Sequence, residues 1–232
     1  MLSIYKDVGK FYGHLTMFDK NNNVIFCNGS LEIFLGNISF YEKHLLEHKL
    51  SNKGMYYPDL LLEKNATYNS HGYDLDINSY IKEYCDISFK SENMSKVSHL
   101  YLEGMQWILS YYTTGITNWE WFFPFYYAPP ASVLIEHIKT FKTPKYEKTF
   151  PLTPYQQLLC VLPPSSANLL PFPLNTLLTD IDSPIKKFCP DNIEIDLSGK
   201  KNDWQGIVLL PMLHINTIKK AYRPYKALYI ST

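Results

Sequence analysis

A mostly helical fold with a small amount of sheet (α+β) is what the sequence predicts, and three observations predict it. Apolar residues recur at three- and four-residue spacing over several long stretches. Prolines and turn residues break the chain between those stretches into irregular loops. Strict alternation of apolar and acidic residues occurs only near the C-terminus, at Ile193, Ile195 and Leu197 against Glu194 and Asp196. The expected architecture is an irregular multi-helix domain with long proline-rich loops and one small strand element.

The elements follow in order. Residues 1–29 are mixed, with Asn21-Asn22-Asn23 as a turn and Gly29 as punctuation. Ser30 is placed to cap a helix in which Leu31, Phe34, Leu35, Ile38, Tyr41 and Leu45 share one face. Residues 51–76, dense in Asn, Gly and Asp, read as loop, and a helix covers about 77–86. The strongest helix carries Val97, Leu100, Tyr101, Met105, Ile108, Tyr111 and Tyr112 as one wide stripe and ends at Gly115. The Trp- and Pro-rich stretch after it is not regular helix; a helical period resumes over 131–142. Thr153-Pro154-Tyr155-Gln156 spells a helix start, with a capping oxygen, a proline at the first helical position and a capping-box partner. Short helical turns alternate with prolines from Pro163 to Pro190, Gly199 turns the chain after the alternating strand, and Trp204–Leu210 reads as either strand or helix. The tail from Asn216 is a short helix.

Composition narrows the function. The 232 residues carry 22 basic and 22 acidic side chains, so no global basic field draws the chain to nucleic acid. Arg223 is the only arginine, which argues against a phosphate pocket built from bidentate guanidinium forks. Cys27, Cys85, Cys160 and Cys189 are far apart without a C-x-x-C pair, as expected of reduced thiols inside a cell. No signal peptide and no apolar run near the ~20 residues of a membrane helix is visible.

Candidate chemistry is sparse. No phosphate-loop, dinucleotide or nucleophile-elbow motif occurs. His44 and His48 share a helix face at zinc-ligand spacing, but the neighbours Lys43, Glu47 and Lys49 make a solvated charged face the better reading. The acidic pairs Asp74/Asp76, Asp180/Asp182 and Glu194/Asp196 could hold a divalent ion, yet each also reads as a loop or the wet side of a strand. The remaining feature is the aromatic block from Glu103 to Pro130, which holds three of the four tryptophans. Such rings either fill a core or offer flat faces on which a base can stack; Trp119 and Trp121 are the candidates for the second role.

Four blocks in order give the chain a family resemblance. EGMQWILSYYTTGITNWEWFFPFYYAP (103–129) is similar to EGLxWVLxYYYxGxxSWxWYYPYHYAP of the eukaryotic 5′→3′ exoribonucleases. TPYQQLLCVLP (153–163), LLTDIDSPIKKFCP (177–190) and IEIDLSGKKNDWQGIVLLP (193–211) resemble that family's PFEQLMxVLP, LMTDxxSPIxDFYP and FEIDxNGKxxxWQGVxLLP. The chain resembles the second, helical half of the conserved core in enzymes of the Xrn and Rat types, and the WQG at 204–206 leans toward the nuclear Rat type. The resemblance implies one helical domain over 1–232, with 1–92 matching weakly and 93–222 strongly.

That family membership would imply a non-catalytic part of a 5′→3′ exoribonuclease that lines the RNA channel. The metal-binding carboxylates, two Mg²⁺ ions and the pocket for a 5′-monophosphate would lie on a catalytic half absent from these residues, so this chain would bind no cofactor and be inactive alone. The partners implied are a catalytic half supplied in trans and single-stranded 5′-monophosphorylated RNA, with no membrane and a nuclear more than a cytoplasmic location. By resemblance Trp121, then Trp119, would stack on RNA, and Trp107, Phe123, Tyr126 and Tyr127 would line the channel. The alternative is a degenerate exonuclease remnant serving as a scaffold or RNA-binding module. Departures from the family pattern suggest a divergent copy, a decayed copy or a half-gene working with another polypeptide: Tyr126 stands for a His, Val133 for an Asp, Asn175 for an Arg, and His214-Ile215 for an acidic pair.

Overall fold

Helices carry the architecture in the computed structural model, which describes residues 1–228. Residues 229–232, the end of the tail assigned to the last helix, lie outside the described residues. Two compact units divide the chain: Met1–Lys148 with Leu197–Gln205, and Thr149–Asp196 with the chain from Gly206 onward.

The first unit begins with α1 (Leu2–Phe11), a hairpin of β1 (Thr16–Phe18) and β2 (Val24–Phe26), and the long α2 (Asn28–Ser51). Residues 1–29 are thus more regular than their mixed composition suggests. Ser30 does not cap α2. The helix starts earlier, with Cys27 as its N-cap, because the Ser30 hydroxyl is used elsewhere: its Oγ donates to the carbonyl of Tyr12, 3.2 Å away, and so ties the end of α1 to α2.

Residues 51–76 are not a loop. They contain α3 (Leu60–Lys64) and an antiparallel hairpin of β3 (Ala66–Asn69) and β4 (Gly72–Leu75). The polar residues that read as loop signals are its caps and turn. Asp59 accepts from the Leu62 amide at the start of α3, and the Asn69 side chain accepts from the His71 amide in the hairpin turn. Leu50, Leu62 and Leu75 bury a small core beneath them.

The next helices are α4 (Ile77–Phe89), α5 (Met94–Thr114) and α6 (Ala131–Ile138). Asp76 caps α4 through the Ser79 amide, and Gly115, at φ +95°, ends α5 in backbone space that a Cβ disfavours. The buried face of α5 differs from the predicted stripe: Ile108, Tyr111 and Tyr112 are exposed, whereas Ser98, Leu102 and Gln106 are buried. Gln106 explains the shift. Its Oε1 accepts from the Phe26 amide at 3.1 Å and its Nε2 donates to the Val24 carbonyl at 3.0 Å, so α5 meets β2 through a polar seam that apolar periodicity does not see.

The main core of this unit joins α2, α5 and α6 through Leu31, Leu35, Leu102, Leu134 and Ile138. Full burial stabilises by about 1.5–3 kcal/mol for each such side chain. Both ends of α6 are tied to α2: Glu42 accepts from the Ala131 amide at 2.9 Å, and Asn28 donates to the carbonyls of Ile138 and Phe141. Residues 197–205 rejoin the unit beside Tyr57, whose amide donates to the Lys200 carbonyl and whose carbonyl accepts from the Gly199 amide.

The second unit contains α7 (Pro154–Val161), α8 (Thr176–Thr179), a minimal pair of β5 (Ile195–Asp196) with β6 (Ile207–Val208), and α9 (Ile215–Tyr222). The capping box at Thr153 and Gln156 forms as the sequence predicts. Short 3₁₀ segments at Pro164–Leu169 and Lys186–Phe188 fill the proline-rich interval. Trp204–Leu210 divides between a 3₁₀ turn ending at Gln205 and the short β6. Leu159, Leu174, Leu178, Ile185 and Ile218 form the core of the unit. The fold is α-dominant with minor β. No helix among the described residues is long and apolar enough to cross a membrane.

Candidate functional site

The last turns of α5 and the irregular stretch 115–130 bring two of the predicted aromatic residues, Trp107 and Trp121, together. Trp107 and Tyr111 lie one turn apart on α5, and their rings are parallel within 4° at a centroid distance of 5.9 Å. Trp121, returning from the irregular stretch, lies nearly parallel to Trp107, at 21° and 6.1 Å. Three near-parallel rings result, in offset geometry favourable to aromatic pairs.

Each ring is held for a reason. The Trp107 indole donates to the Asn118 carbonyl at 2.9 Å. Trp121 comes down on Gly104, where any Cβ would collide with its six-membered ring; the glycine permits the close approach. The Trp121 indole also donates to the carboxylate of Glu103. Burial pushes the Glu103 carboxyl above the ordinary glutamate range, and that hydrogen bond opposes the shift. The Glu103 carbonyl accepts from the Tyr146 hydroxyl at 2.8 Å, and burial together with the Glu103 charge raises the Tyr146 hydroxyl.

Trp119 differs from its neighbour. It is 45% exposed, whereas Trp121 is half-buried. Its loop is pinned through Asn118, whose side chain accepts from the Glu120 amide at 2.7 Å and donates to the Glu147 carbonyl at 3.1 Å.

The other predicted residues separate from this group. Phe123 packs edge-on against Tyr101 at 5.4 Å and beside Phe125, which meets Phe89, so it joins the small core of α4 and α5. Tyr127 meets Tyr84 edge-on at 6.4 Å, next to the Tyr84 hydroxyl that donates to the Ala128 carbonyl. Tyr126 is half-buried. Glu103 and Tyr146 were missed as members of the cluster. Glu103 opens the aromatic block, but Tyr146 comes from a stretch with no motif, and only the fold brings it near.

The polar candidates are dispersed. His44 lies beside Glu47 at 3.6 Å, Asp74 pairs with Lys43 at 2.8 Å, and Asp76 is the α4 cap. Asp180 accepts from the Asp182 amide within its own turn. Among the described residues no group of three or more His, Cys, Asp or Glu is disposed to hold a metal ion. All four cysteines are free thiols; burial, then the charges of Asp86 and Glu136, push Cys85 up to about 11, which leaves it inert.

Comparison with known proteins agrees with this picture. The sequence profile described as the Xrn1 helical domain matches residues 78–228. The chain is 42% identical over 132 residues to a 5′-3′ exoribonuclease 2 of Cryptococcus neoformans, covering 57% of this chain and 12% of that protein. It is 36% identical over 190 residues to the 5′-3′ exoribonuclease 2 of Schizosaccharomyces pombe, covering 77% of this chain and 19% of that protein. Over 142 residues it is 36% identical to the 5′-3′ exoribonuclease 1 of Saccharomyces cerevisiae, covering 60% of this chain and 9% of that protein. The matches therefore span less than a fifth of these relatives' length, and the type 2 names among them are consistent with the lean given by the WQG block.

Proposed function

The chain belongs to the Xrn1 helical domain family, and from that premise we propose that it is the non-catalytic helical part of a 5′→3′ exoribonuclease, contacting single-stranded RNA through its aromatic cluster. The carrying observation is the set of near-parallel rings Tyr111, Trp107 and Trp121 beside the exposed Trp119. Planar rings held in fixed orientation offer stacking to any base without sequence preference. Rigid placement keeps the entropy cost of stacking low.

The described residues do not fit a two-metal hydrolytic site, because their acids are dispersed or engaged as caps and ion pairs. In this reading Mg²⁺ and the 5′-phosphate pocket belong to a catalytic half acting in trans, and the present residues orient the strand and exclude water from it. Arg223 as the only arginine supports an absent phosphate clamp. A nuclear location is part of the same proposal, supported by the resemblance of the WQG block to the nuclear type.

Fluorescence anisotropy with a labelled single-stranded RNA tests the contact. Stacking on one ring contributes ~1–3 kcal/mol, so Trp121→Ala and Trp119→Ala should each weaken binding by about 5- to 150-fold. Trp204→Ala, on the exposed 3₁₀ turn near Gln205, should not. Trp119→Ala is the safer variant, since Trp121 also packs on Gly104. Unchanged affinity in both folded variants would refute the stacking role.

A further inference from the structure

A recess in the first unit, about 320 Å³ in volume, shares Tyr146 with the aromatic cluster and has a different chemistry. Its floor is one face of α5, where Gln106, Ser110 and Thr114 follow one another at four-residue spacing. The β1–β2 turn closes one side, and Thr117, Lys145 and Tyr146 close another. Tyr146 is shared with the aromatic cluster: its hydroxyl donates to the carbonyl of Glu103, whose carboxylate accepts from Trp121. Thr117 precedes Trp119 by two residues, at most ~7 Å of chain.

The hydrogen-bonding capacity left in this recess is mixed. Ser110 Oγ accepts from Gln106 Nε2 at 3.2 Å, which leaves its own proton to donate. Thr114 Oγ1 gives its proton to the Ser110 carbonyl at 2.9 Å, which leaves lone pairs to accept. Thr117 Oγ1 is buried with no partner among the described residues. An anion would want donors only, whereas the Thr114 oxygen offers lone pairs and the rim carries Asp19 as well as Lys145. Alternating donors and acceptors suit a group that is both, a hydroxyl. The volume is at the lower end for small-ligand sites and far above that of one water.

We propose that this recess is a ribose subsite, in which Ser110, Thr114 and Thr117 hydrogen-bond the 2′-hydroxyl of a nucleotide whose neighbouring base stacks on the Trp107–Trp121 pair. The inference rests on the RNA reading above and adds discrimination by the 2′-hydroxyl, the group that distinguishes RNA from DNA at a protein site. Gln106 is the structural floor, because both ends of its amide are committed to β2.

The test uses the whole chain and three labelled oligonucleotides of one sequence: RNA, DNA and 2′-O-methyl RNA. A single hydroxyl contact predicts that RNA binds roughly fivefold or more tightly than either of the others. Thr114→Val with Thr117→Val, which keep side-chain shape, should bring the RNA-to-DNA ratio close to one while leaving DNA affinity unchanged. Equal binding of RNA and DNA by the wild-type chain would overturn the subsite and leave the stacking role standing. Binding of none of the three would overturn the RNA reading and the subsite with it. A ratio that survives the double substitution would place discrimination elsewhere and also overturn the assignment.

Discussion

At the scale of single residues, Glu103 is the group whose charge is most directly linked to the cluster. Its carboxyl is raised by burial, so the folded state holds a proton that the unfolded chain has already lost. Stability from this group is therefore complete below the ordinary glutamate value of about 4.3 and is lost as pH rises through the raised value. Glu103→Gln keeps an acceptor for the Trp121 indole and removes the charge. Urea unfolding of the variant should lack this component, so it gains on the wild type between pH 4.3 and 7; a constant difference over that range would contradict the burial account. Ser98 offers a second check. It is fully buried in α5, and its hydroxyl has no partner among the described residues. Removing an unsatisfied polar group is neutral or favourable, so Ser98→Ala should leave stability unchanged or raise it by up to about 1 kcal/mol. A clear loss would mean that the hydroxyl is bonded. Residue-scale features of the cluster divide sharply in how readable they were. Trp107, Trp119 and Trp121 stand out by type and spacing. Gln106 and Tyr146 do not, because a buried amide seam and a tyrosine 43 residues from its acceptor leave no local pattern.

At the scale of elements, signals with a local cause were the reliable ones. The capping box at Thr153, the end of α5 at Gly115 and the irregular stretch after it all follow from backbone chemistry confined to a few residues. Thr153→Ala removes the side-chain acceptor at the N-terminus of α7 and should cost about 1 kcal/mol, read as a lower urea midpoint at constant slope. No change would show that the cap is dispensable. The hairpin at 66–75 was not readable, because its Asn, Gly and Asp residues have the same composition in a turn as in a loop. What separates the two is Leu62 and Leu75 meeting Leu50 across the fold, a contact without sequence proximity. Ser30 misled for a related reason: a serine preceding an apolar run is a cap only if its hydroxyl has nothing better to bond.

At the scale of the whole molecule, several large apolar side chains stand in solvent among the described residues. Leu2, Phe11, Phe40, Leu45 and Leu60 are each more than three-fifths exposed. If a catalytic half covers these side chains, as the proposal requires, they are unprotected in the isolated chain. The isolated chain should therefore self-associate in concentration-dependent sedimentation, and a persistent monomer at high concentration would weigh against such a partner. The family itself was readable because four blocks occur in order, and a match of the Xrn1 helical domain to residues 78–228 agrees with them. The two-unit packing was not, since residues 197–205 return to the first unit from within a stretch whose neighbours belong to the second. The most direct test of the central claim is decay of a 5′-monophosphorylated RNA by the purified chain in Mg²⁺. The account predicts RNA binding without shortening of the strand, and processive decay that EDTA abolishes would contradict it.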